Sequence, residues 1–587
     1  MPELPAISGI AGGVRRKAVT LVTVSCAILM ARWYWRNRQL DKKLDKKRKQ
    51  CLQTLEKVEK ELQKNKLPAR QKEAILSLSL STLQSKLRSG ELKAVDVLRA
   101  YQEQALKVNV KINCLTEAIT DAQELAAACD ETGDKTRLLH GIPVSLKENI
   151  GVKGYDRTGG LQINIGVPCD KDAVITQVLK RHGAIPFVRT NIPQAMLSYT
   201  CSNPIFGSTA NPHNVLHTPG GSSGGEGAII GAGGSIIGIG SDVGGSVRVP
   251  ASFCGCCSLK PTLGRFSKMG FYTVTKGQTQ ISGVPGPMAR DVDSLVVLTR
   301  VLSSPDMFEL DASLPPLPFQ QQLLNSTHRL RIGYYTWDGN LPPVPVVSRA
   351  VREAKKVLED LGHTLVEFSP IDYSQKFAEL FIGTMLGADQ GQTLRSKVKG
   401  DYLDGGLKLI KMTLLPRWLL SLLAKMISLK EPVLSRAVAH FKKEGRTYNW
   451  FCHVVKIQEY REKFTEQWKS LDLDAVICSA FPSPAPRTCD VGRLTTGGSN
   501  LALYNLVNFA AGVLPVTKVT SQDVADANNP ALFPARTSLE RLLKKSCDTE
   551  DCVGLPVGVQ CVTLPFKEEL CLRVMRELET AVNYRGL

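Results

Sequence analysis

The sequence predicts an α/β fold with a large twisted mixed β-sheet core that is covered by helices. The first observation is composition, because 43% hydrophobic and 22% charged residues are typical of a globular chain with an ample core. The second is the alternation of short apolar β-type runs with helical segments from residue 142 onward, which is typical of parallel or mixed sheets. No repeat or long low-complexity segment interrupts this alternation.

The predicted strands are apolar runs, and two helix-like segments lie between them, at residues 172–182 and 347–362. A weaker helix is predicted over residues 82–109. The runs are residues 142–146, 184–188, 236–240, 330–335, 365–368, 475–478 and 557–562.

Positive charge is concentrated near the N-terminus. The formal charge is +19, and residues 1–72 alone hold 18 Lys and Arg against 6 Asp and Glu. Most of the positive charge therefore lies in residues 1–72, and the body of the chain, residues 73–587, lacks the charge of a nucleic-acid-binding protein. Residues 18–31 are uncharged, and Trp33, Tyr34 and Trp35 follow them. This stretch is shorter than the roughly 20 residues that span a bilayer, so a span needs snorkelling ends and interfacial aromatic residues. We interpret residues 1–38 as a membrane anchor, with a cleaved signal peptide as the alternative.

The charges that flank the anchor predict its orientation. Nine Lys or Arg lie from Arg32 to Lys49, against three before the apolar stretch. This bias predicts a single-pass protein with its C-terminal bulk on the cytosolic side. Residues 39–80 are interpreted as a basic, solvated helical stalk, and residues 81–587 as the main domain.

A second apolar segment, residues 407–430, combines many Leu, Met and Trp residues with basic ones. It predicts a helical hairpin that breaks at Pro416 and lies on a membrane surface, as a cap over about residues 405–436. The alternative is a buried pair of core helices. Residues 314–319 contain a PxxP pattern, for which a surface loop is favoured over an SH3 ligand.

The 16 cysteines do not predict a metal site or a disulfide framework. Their only cluster is Cys254, Cys256 and Cys257, which lacks a nearby histidine and a second pair at zinc spacing. Buried free thiols are expected there.

Two Gly- and Ser-rich turns and one lysine carry the candidate chemistry. Ser222 lies in the run 220–227 and Ser246 in the run 240–248, with a short apolar strand between the runs. The small residues before Ser246 allow successive backbone N–H groups to face one point, as an oxyanion requires. A serine nucleophile also needs a base. No histidine follows His453, whereas Lys147 ends a predicted strand, where burial lowers the pKa of a lysine.

Two other interpretations of these turns are less favoured. Residues 220–224 match the G-x-S-x-G nucleophile elbow of α/β-hydrolases, but those enzymes place their histidine late in the chain. Neither turn carries the Gly-Lys-Ser/Thr ending of a phosphate loop or the G-x-G-x-x-G pattern of a dinucleotide site.

The sequence resembles the amidase signature family. The resemblance rests on residues 219–228, 242–250 and 253–262, whose patterns are specific to that family, and on the upstream lysine. It covers about residue 80 to the C-terminus. Residues 196–204 and 286–291, with the anchor and the cap, resemble the branch of the family that cleaves fatty acid amides.

The resemblance implies a role for each candidate residue. Ser246 is implied to be the acyl nucleophile, and Ser222 the bridge that passes its proton to neutral Lys147 and later to the leaving amine. The 24-residue gap between the two serines selects Ser222, and not Ser223, as this bridge. No metal and no cofactor is implied. The implied oxyanion and substrate-binding residues are Ser222, Val243, Gly244, Gly245, Ser246 and Met196, and the supporting residues are Ser223, Ser241 and Arg248.

The resemblance also implies the substrate and its setting. N-acylethanolamines such as anandamide, and primary fatty amides such as oleamide, would pass from the bilayer into an apolar channel beneath the cap. The implied enzyme is a homodimer in the endoplasmic reticulum or another intracellular membrane, with an esterase side activity. Leu197 and residues 532–542 depart from the expected acyl-channel pattern, which leaves the preferred chain length open.

Two alternative functions remain open. One is an amidotransferase subunit that uses ammonia on charged tRNA, against which the low charge of the body, the anchor and the cap argue. The other is a catalytically inactive lipid-binding or scaffolding protein, against which the complete set of Lys147, Ser222 and Ser246 argues.

Overall fold

A computed structural model describes residues 8–132, 134–370, 372–440, 447–582 and 584. Within these residues the strands are β1 (Leu115–Ala118), β2 (Pro143–Lys147), β3 (Ile185–Thr190), β4 (Ser202–Asn203), β5 (Gly207–Ser208), β6 (Ile237–Asp242), β7 (Cys257–Lys260), β8 (Val284–Ala289), β9 (Arg331–Tyr335), β10 (Thr364–Glu367), β11 (Ala475–Ser479), β12 (Ala510–Lys518) and β13 (Pro556–Thr563). Eleven of them form one mixed sheet in the order β1-β3-β2-β6-β8-β7-β12-β13-β11-β9-β10, and β4 pairs with β5.

Helices surround this sheet. Shorter 3₁₀ segments also occur, among them Gln194–Met196 and Gly405–Leu414, and Ala378–Gly387 is π-helical. The α-helices are α1 (Ser8–Lys64), α2 (Ala69–Ser77), α3 (Leu80–Ser89), α4 (Ala94–Ile112), α5 (Ala122–Glu131), α6 (Val174–Arg181), α7 (Gly224–Gly231), α8 (Arg248–Cys254), α9 (Val292–Leu302), α10 (Pro305–Leu310), α11 (Gln321–Asn325), α12 (Pro345–Asp360), α13 (Tyr373–Phe377), α14 (Gln392–Val398), α15 (Arg417–Ile427), α16 (Pro432–Ala439), α17 (Thr447–Ser470), α18 (Ser499–Leu506), α19 (Ser521–Asn528), α20 (Ser538–Lys544) and α21 (Glu568–Val582).

The predicted α/β class and all seven predicted strands are confirmed, within one or two residues at each end. The main sheet has four further strands, β1, β7, β8 and β12, that the sequence did not indicate. Strand β8 contains two prolines, which are rare inside strands, and β12 is rich in Ala and Gly and also contains a proline. Burial on both faces of the sheet leaves these strands without the alternation that predicts a strand.

The order of the central strands brings the candidate residues together. Strand β2 runs parallel to β3 on one side and to β6 on the other. The carboxyl ends of parallel strands lie at the same edge of a sheet. Lys147 at the end of β2 and Asp242 at the end of β6 therefore share an edge.

The N-terminal helix differs from its prediction. Helix α1 is continuous to Lys64, so the predicted anchor and the first part of the predicted stalk form a single helix, and α2 lies in the rest of the stalk. Residues 1–7 of the predicted anchor lie outside the described residues. Across the described residues, no helix combines the length and the apolarity that a membrane crossing requires. The prediction of a fully solvated stalk is wrong along one face, because apolar residues at helical spacing are buried there, namely Leu44, Cys51, Val58 and Leu62.

The helix predicted over residues 82–109 is two helices, α3 and α4. Gly90 ends α3 with a φ of +78°, a conformation that glycine adopts at low cost, and its N–H caps the carbonyl of Leu87. The break turns α4 so that its apolar face packs on the sheet, with Val97, Leu98 and Tyr101 buried.

The predicted cap lies at the surface, but its helices are divided differently from the prediction. Helix α15 begins directly after Pro416, where a break was predicted, whereas the segment before Pro416, Gly405–Leu414, is a 3₁₀ helix. The packing partner of α15 is α16, which begins after the predicted hairpin ends. Only Leu420 and Ala424 of α15 are buried. Five large apolar side chains of this region are 48–97% exposed, namely Leu414, Trp418, Leu422, Met426 and Leu429. A buried core pair is therefore excluded.

The structure also bears on the PxxP segment and on the cysteine cluster. Residues 314–319 form a loop that is fastened to the body, because the buried Arg265 donates to the carbonyl oxygens of Leu317 (2.7 Å) and Pro318 (3.4 Å). Cys254, Cys256 and Cys257 are buried free thiols, as predicted.

Candidate active site

Lys147 lies in the interior at the end of β2, and its side chain has no exposed surface. Its Nζ is 2.7 Å from Ser222 Oγ, 3.0 Å from Ser241 Oγ and 3.3 Å from the carbonyl oxygen of Ser241. Burial lowers the pKa of Lys147 to about 7, although the charge of Asp242 acts in the opposite direction. A lysine with this pKa is neutral in a large fraction of molecules at pH 7 and can accept a proton.

The turn that holds Ser222 contacts the turn that holds Ser246. The N–H of Ser223 donates to the carbonyl oxygen of Ser246 at 3.0 Å, and Ser223 Oγ accepts from the N–H of Ser241 at 3.3 Å. Gly221 has to be glycine, because a Cβ there would overlap the carbonyl oxygens of Ser198 and Thr200. Ser222 and Ser246 are both buried, with only 2% and 5% of their surfaces exposed.

Asp242 shapes the turn that leads to Ser246. Its carboxylate accepts from the N–H of Gly245 at 2.8 Å and from the N–H of Val247 at 3.0 Å. Gly245 has a φ of +105°, which only glycine adopts without strain. The N–H of Gly245, one of the four predicted oxyanion donors, is thus engaged inside the protein. Within the described residues, the N–H groups of Val243, Gly244 and Ser246 have no protein acceptor.

Arg248 supports this carboxylate from the first turn of α8. Its guanidinium donates to both oxygens of Asp242, at 3.0 and 3.2 Å, and Asn505 donates to Asp242 Oδ1 at 3.0 Å. Burial alone would raise the pKa of Asp242, but Arg248 and the turn N–H groups hold it well below its usual range. Sequence reasoning included Arg248 but missed Asn505, which lies more than 250 residues further along the chain and has no motif of its own.

Glu226 is a second residue that sequence reasoning missed, although it lies inside the Ser222 motif. It receives hydrogen bonds from Ser145 Oγ (2.6 Å) and Thr190 Oγ1 (2.8 Å). Burial raises the pKa of Glu226 to about 7, which reduces the negative charge that it places near Lys147. Gly238 packs directly on this carboxyl group, so β6 tolerates no side chain there.

Apolar side chains lie next to the Ser246 turn and next to the predicted cap. Met196 packs in a cluster with Leu161, Ala195 and Leu407, and Leu407 belongs to the predicted cap. On the other side, the ring of Phe381 lies where a Cβ of Gly244 would be, and Tyr199 donates to the carbonyl oxygen of Gly244 at 2.7 Å. The predicted residue Met196 therefore lies in an apolar cluster that includes a residue of the predicted cap.

One group of metal-ligand type occurs among the described residues, outside these turns. His217, Asp551 and Cys552 place their ligand atoms within 4.8 Å of one another. Arg487 already pairs with Asp551 Oδ2 at 2.9 Å, closer than His217 Nε2 at 3.5 Å. A cation on this carboxylate would have to displace the guanidinium, so the group does not favour a metal.

The sequence is similar to enzymes that hydrolyse amides. A family model described as Amidase matches residues 96–572. A Sus scrofa protein named fatty-acid amide hydrolase 1 is 42% identical over 567 residues, which cover 95% of this chain and 96% of the relative. A Caenorhabditis elegans protein named fatty acid amide hydrolase 1 is 36% identical and covers 88% of this chain and 91% of its own.

Solved structures agree with the sequence matches. A structure of fatty acid amide hydrolase superposes with a TM-score of 0.77 at 26% identity, covering 93% of this chain and 95% of the other. A structure of 6-aminohexanoate cyclic dimer hydrolase superposes with a TM-score of 0.67 at 22% identity over 87% and 99% of the two chains, which supports the shared fold alone. Because the family model and the relatives span most of its length, the chain belongs to the amidase signature family and is an amide-hydrolysing enzyme.

Proposed function

We propose that this enzyme cleaves fatty acid amides at a membrane surface, with Ser246 as nucleophile, Ser222 as proton bridge and Lys147 as base. The observation that carries the proposal is the 2.7 Å contact between the fully buried Lys147 Nζ and Ser222 Oγ. A buried lysine needs a reason to be there, because desolvation of an ammonium group costs several kcal/mol. A base whose pKa is near the working pH is such a reason.

Acylation begins when Ser246 Oγ attacks the amide carbonyl carbon. The Ser246 proton passes to Ser222, whose own proton passes to neutral Lys147. The negative charge on the carbonyl oxygen is then stabilised by the N–H groups of Val243, Gly244 and Ser246, which have no protein acceptor in the described structure. The hydrogen bonds from the N–H groups of Gly245 and Val247 to the Asp242 carboxylate, here called the Asp242 clamp, hold the turn in place. They fix the direction of the three oxyanion N–H groups before the substrate arrives.

Collapse of this intermediate breaks the C–N bond. The leaving amine takes a proton from Ser222, which is resupplied by protonated Lys147, so the base of the first step becomes the acid of the second. Water then enters and attacks the acyl carbon while one of its protons passes through Ser222 to Lys147. The bond between that carbon and Ser246 Oγ breaks, and the same relay returns the proton to Ser246 Oγ. The products are a fatty acid and an amine, and Lys147 returns to its neutral form.

The choice of a lipid substrate rests on the apolar surroundings of the turns and on the relatives. Two of these are named for fatty acid amides and cover nearly the whole chain. Phe381 supplies apolar surface beside the turn, and Met196 packs in an apolar cluster with the cap residue Leu407, as an acyl chain requires. N-acylethanolamines and primary fatty amides are therefore the proposed substrates, with fatty esters as a side activity.

Membrane contact is supported by the exposed apolar side chains of α15, among them Trp418 and Met426. Replacement of both residues by serine is expected to weaken binding to liposomes of neutral and anionic lipids, because it removes apolar area from the bilayer. The exposed face of α12 offers a matched control in Lys356→Ser. Binding that is unchanged in the double variant would contradict the cap proposal. The single-pass anchor, the endoplasmic reticulum location and the homodimer stay predictions.

The test of the function is to incubate the purified chain with a panel of fatty acid amides and esters and to measure released acid. Ser246→Ala is expected to reduce hydrolysis by at least about 10⁴-fold and to abolish labelling by a fluorophosphonate, because both require the nucleophile. Ser470→Ala, on the outer end of α17, is the matched control and is expected to behave as the parent chain. Lipid binding without acid release in the parent chain would instead favour a scaffolding protein.

A further inference from the structure

A cavity of about 240 Å³ lies beside the Asp242 clamp, in addition to the site already described. It is formed where the end of β7, the segment before β8, helix α17 and the end of α18 meet. Asn505, which donates to Asp242, is part of its wall, so one residue separates the cavity from the clamp. Its polar lining consists mainly of Lys260, Arg461, Gln280, Ser282, Asn505 and Asn508.

Lys260 is the last residue of β7 and is 1% exposed. Within the described residues its Nζ makes one hydrogen bond, to the carbonyl oxygen of Pro261 at 2.9 Å, and no ion pair. The charged groups that act on it most strongly are Arg248, Asp242 and Glu568, and the thiol of Cys571 also acts on it. The two carboxylates are already engaged, since Asp242 pairs with Arg248, and Glu568 accepts from the N–H of Thr262 at 2.8 Å.

Arg461 reaches the same cavity from α17. It donates to the carbonyl oxygens of Leu506 (2.7 Å) and Gln280 (2.6 Å), and it has no carboxylate partner in the described part of the chain. A third cation lies at the rim, where Lys268 Nζ donates to Ser282 Oγ at 2.6 Å. No Asp or Glu lies among the residues that line the cavity.

Buried cations in proteins are normally paired, because an unpaired one loses its hydration without compensation. Here the buried Lys260 and the half-buried Arg461 share one cavity, and the neutral groups around them include the amides of Asn508 and Gln280. A cavity of this volume accommodates a small anion together with water. We propose that the cavity binds a small oxyanion, a phosphate or carboxylate group, held between Lys260 and Arg461. The guanidinium matches the planar face of such a group, and the ammonium adds a point charge.

Binding is tested on the full-length Ser246→Ala chain in detergent, so that the result does not depend on hydrolysis or on the proposed function. Sulfate serves as the probe for a tetrahedral oxyanion and acetate as the probe for a carboxylate, both titrated calorimetrically at constant ionic strength set with chloride. Saturable binding of either probe at one site is the expected result, and the tighter one identifies the class. Binding of neither probe would overturn the proposal.

Matched variants locate the binding. Arg461→Gln is expected to weaken binding by about tenfold or more, because it removes a charge-assisted hydrogen bond. Arg331→Gln is the control: Arg331 also donates to a backbone carbonyl at an end of α17, that of Leu471 at 2.7 Å, but it lies outside the cavity. Equal binding by the two variants would overturn the proposal.

Ser282→Glu is a second variant that does not depend on the loss of a structural arginine. A carboxylate at this position is expected to pair with the cations, to abolish binding of the probe and to raise the Tm. Retained binding in a folded Ser282→Glu chain would contradict the site.

The pH dependence gives an independent readout. Burial lowers the pKa of Lys260 to about 7, and the positive charge of Arg248 lowers it as well. The negative charges of Asp242 and Glu568 act in the opposite direction. Sulfate does not titrate between pH 6.5 and 8.5 and Arg461 stays charged, so tighter binding is expected as the pH falls and Lys260 gains its proton. Binding that is independent of pH in this range would contradict a site that is held between Lys260 and Arg461.

Discussion

Lys147 and Lys260 are two buried lysines at the ends of central strands, and they differ mainly in what surrounds their Nζ atoms. Burial lowers the pKa of each to about 7, and neither forms an ion pair in the described structure. Lys147 contacts two hydroxyl groups, those of Ser222 and Ser241. Lys260 contacts one backbone carbonyl and otherwise faces a cavity that Arg461 shares.

The comparison shows that a lowered pKa does not by itself identify a catalytic base. A base must be within hydrogen-bond reach of the proton that it accepts, and only Lys147 has a hydroxyl relay beside it. Lys260 has a second cation beside it, which favours an anion. In our two proposals the same physical cause, burial without an ion pair, serves proton transfer at one strand end and ligand binding at another.

The sharpest test of this difference is Lys147→Ala. It is expected to lower kcat by about 10²- to 10⁴-fold, because general base catalysis is lost. In the parent chain, kcat/KM is expected to rise with pH through about 7 and then level off, since only neutral Lys147 accepts a proton. In the variant the rise is expected at higher pH, where hydroxide replaces the lost base. A pH–rate profile that is unchanged would show that Lys147 is structural.

Asp242→Asn tests what the two lysines share, because Asp242 raises the pKa of both. The variant leaves buried Arg248 without its carboxylate, which is expected to lower the free energy of unfolding by about 3–5 kcal/mol. In the folded variant the pKa of Lys147 is expected to fall, so the pH–rate limb moves to lower pH. Chemical unfolding followed by circular dichroism measures the first effect and kcat/KM against pH the second. A rise of kcat/KM that shifts to higher pH in the variant would contradict the inference that Asp242 raises the pKa of Lys147.

Lys260→Met has the smallest expected effect on catalysis, within about threefold of the parent kcat when no oxyanion is added. Its effect is expected in stability instead. Between pH 7 and 10 the unfolded chain holds a proton on Lys260 that the folded chain has released, so the parent gains stability as the pH rises. The variant lacks this dependence on pH. Its Tm is therefore expected to exceed the Tm of the parent chain by more at pH 7 than at pH 10. A loss of activity as large as that of Lys147→Ala would remove the distinction between the lysines.

The residues whose chemistry is local could be predicted from the sequence. Ser222, Ser246 and Lys147 lie in short motifs or at a strand end, and each pattern limits what the backbone can do nearby. The strands with apolar runs were predicted for the same reason. Strands β8 and β12 were missed because their prolines and small residues contradict strand propensity, and only burial between neighbouring strands makes them favourable.

Other features depend on contacts between distant segments. Asn505 reaches Asp242 across 263 residues, and Arg461 reaches the carbonyl of Gln280 across 181, so no local pattern could have indicated either. The buried face of α1 was also missed, because a lysine such as Lys47 is expected at the surface. In the structure Lys47 is buried and pairs with Glu117 (3.2 Å) and Asp156 (3.1 Å).

The sequence by itself determined the α/β class and singled out the two serine turns and Lys147 as candidates, because glycine spacing and strand ends are properties of short segments. The tertiary structure decided which N–H groups of the Ser246 turn are left without a protein acceptor, and how strongly Lys147 is desolvated. It also decided that Lys260, which has no distinguishing motif, is buried beside Arg461. A pKa and a cavity both arise from what surrounds a group, and those surroundings come from residues that are far apart in the chain.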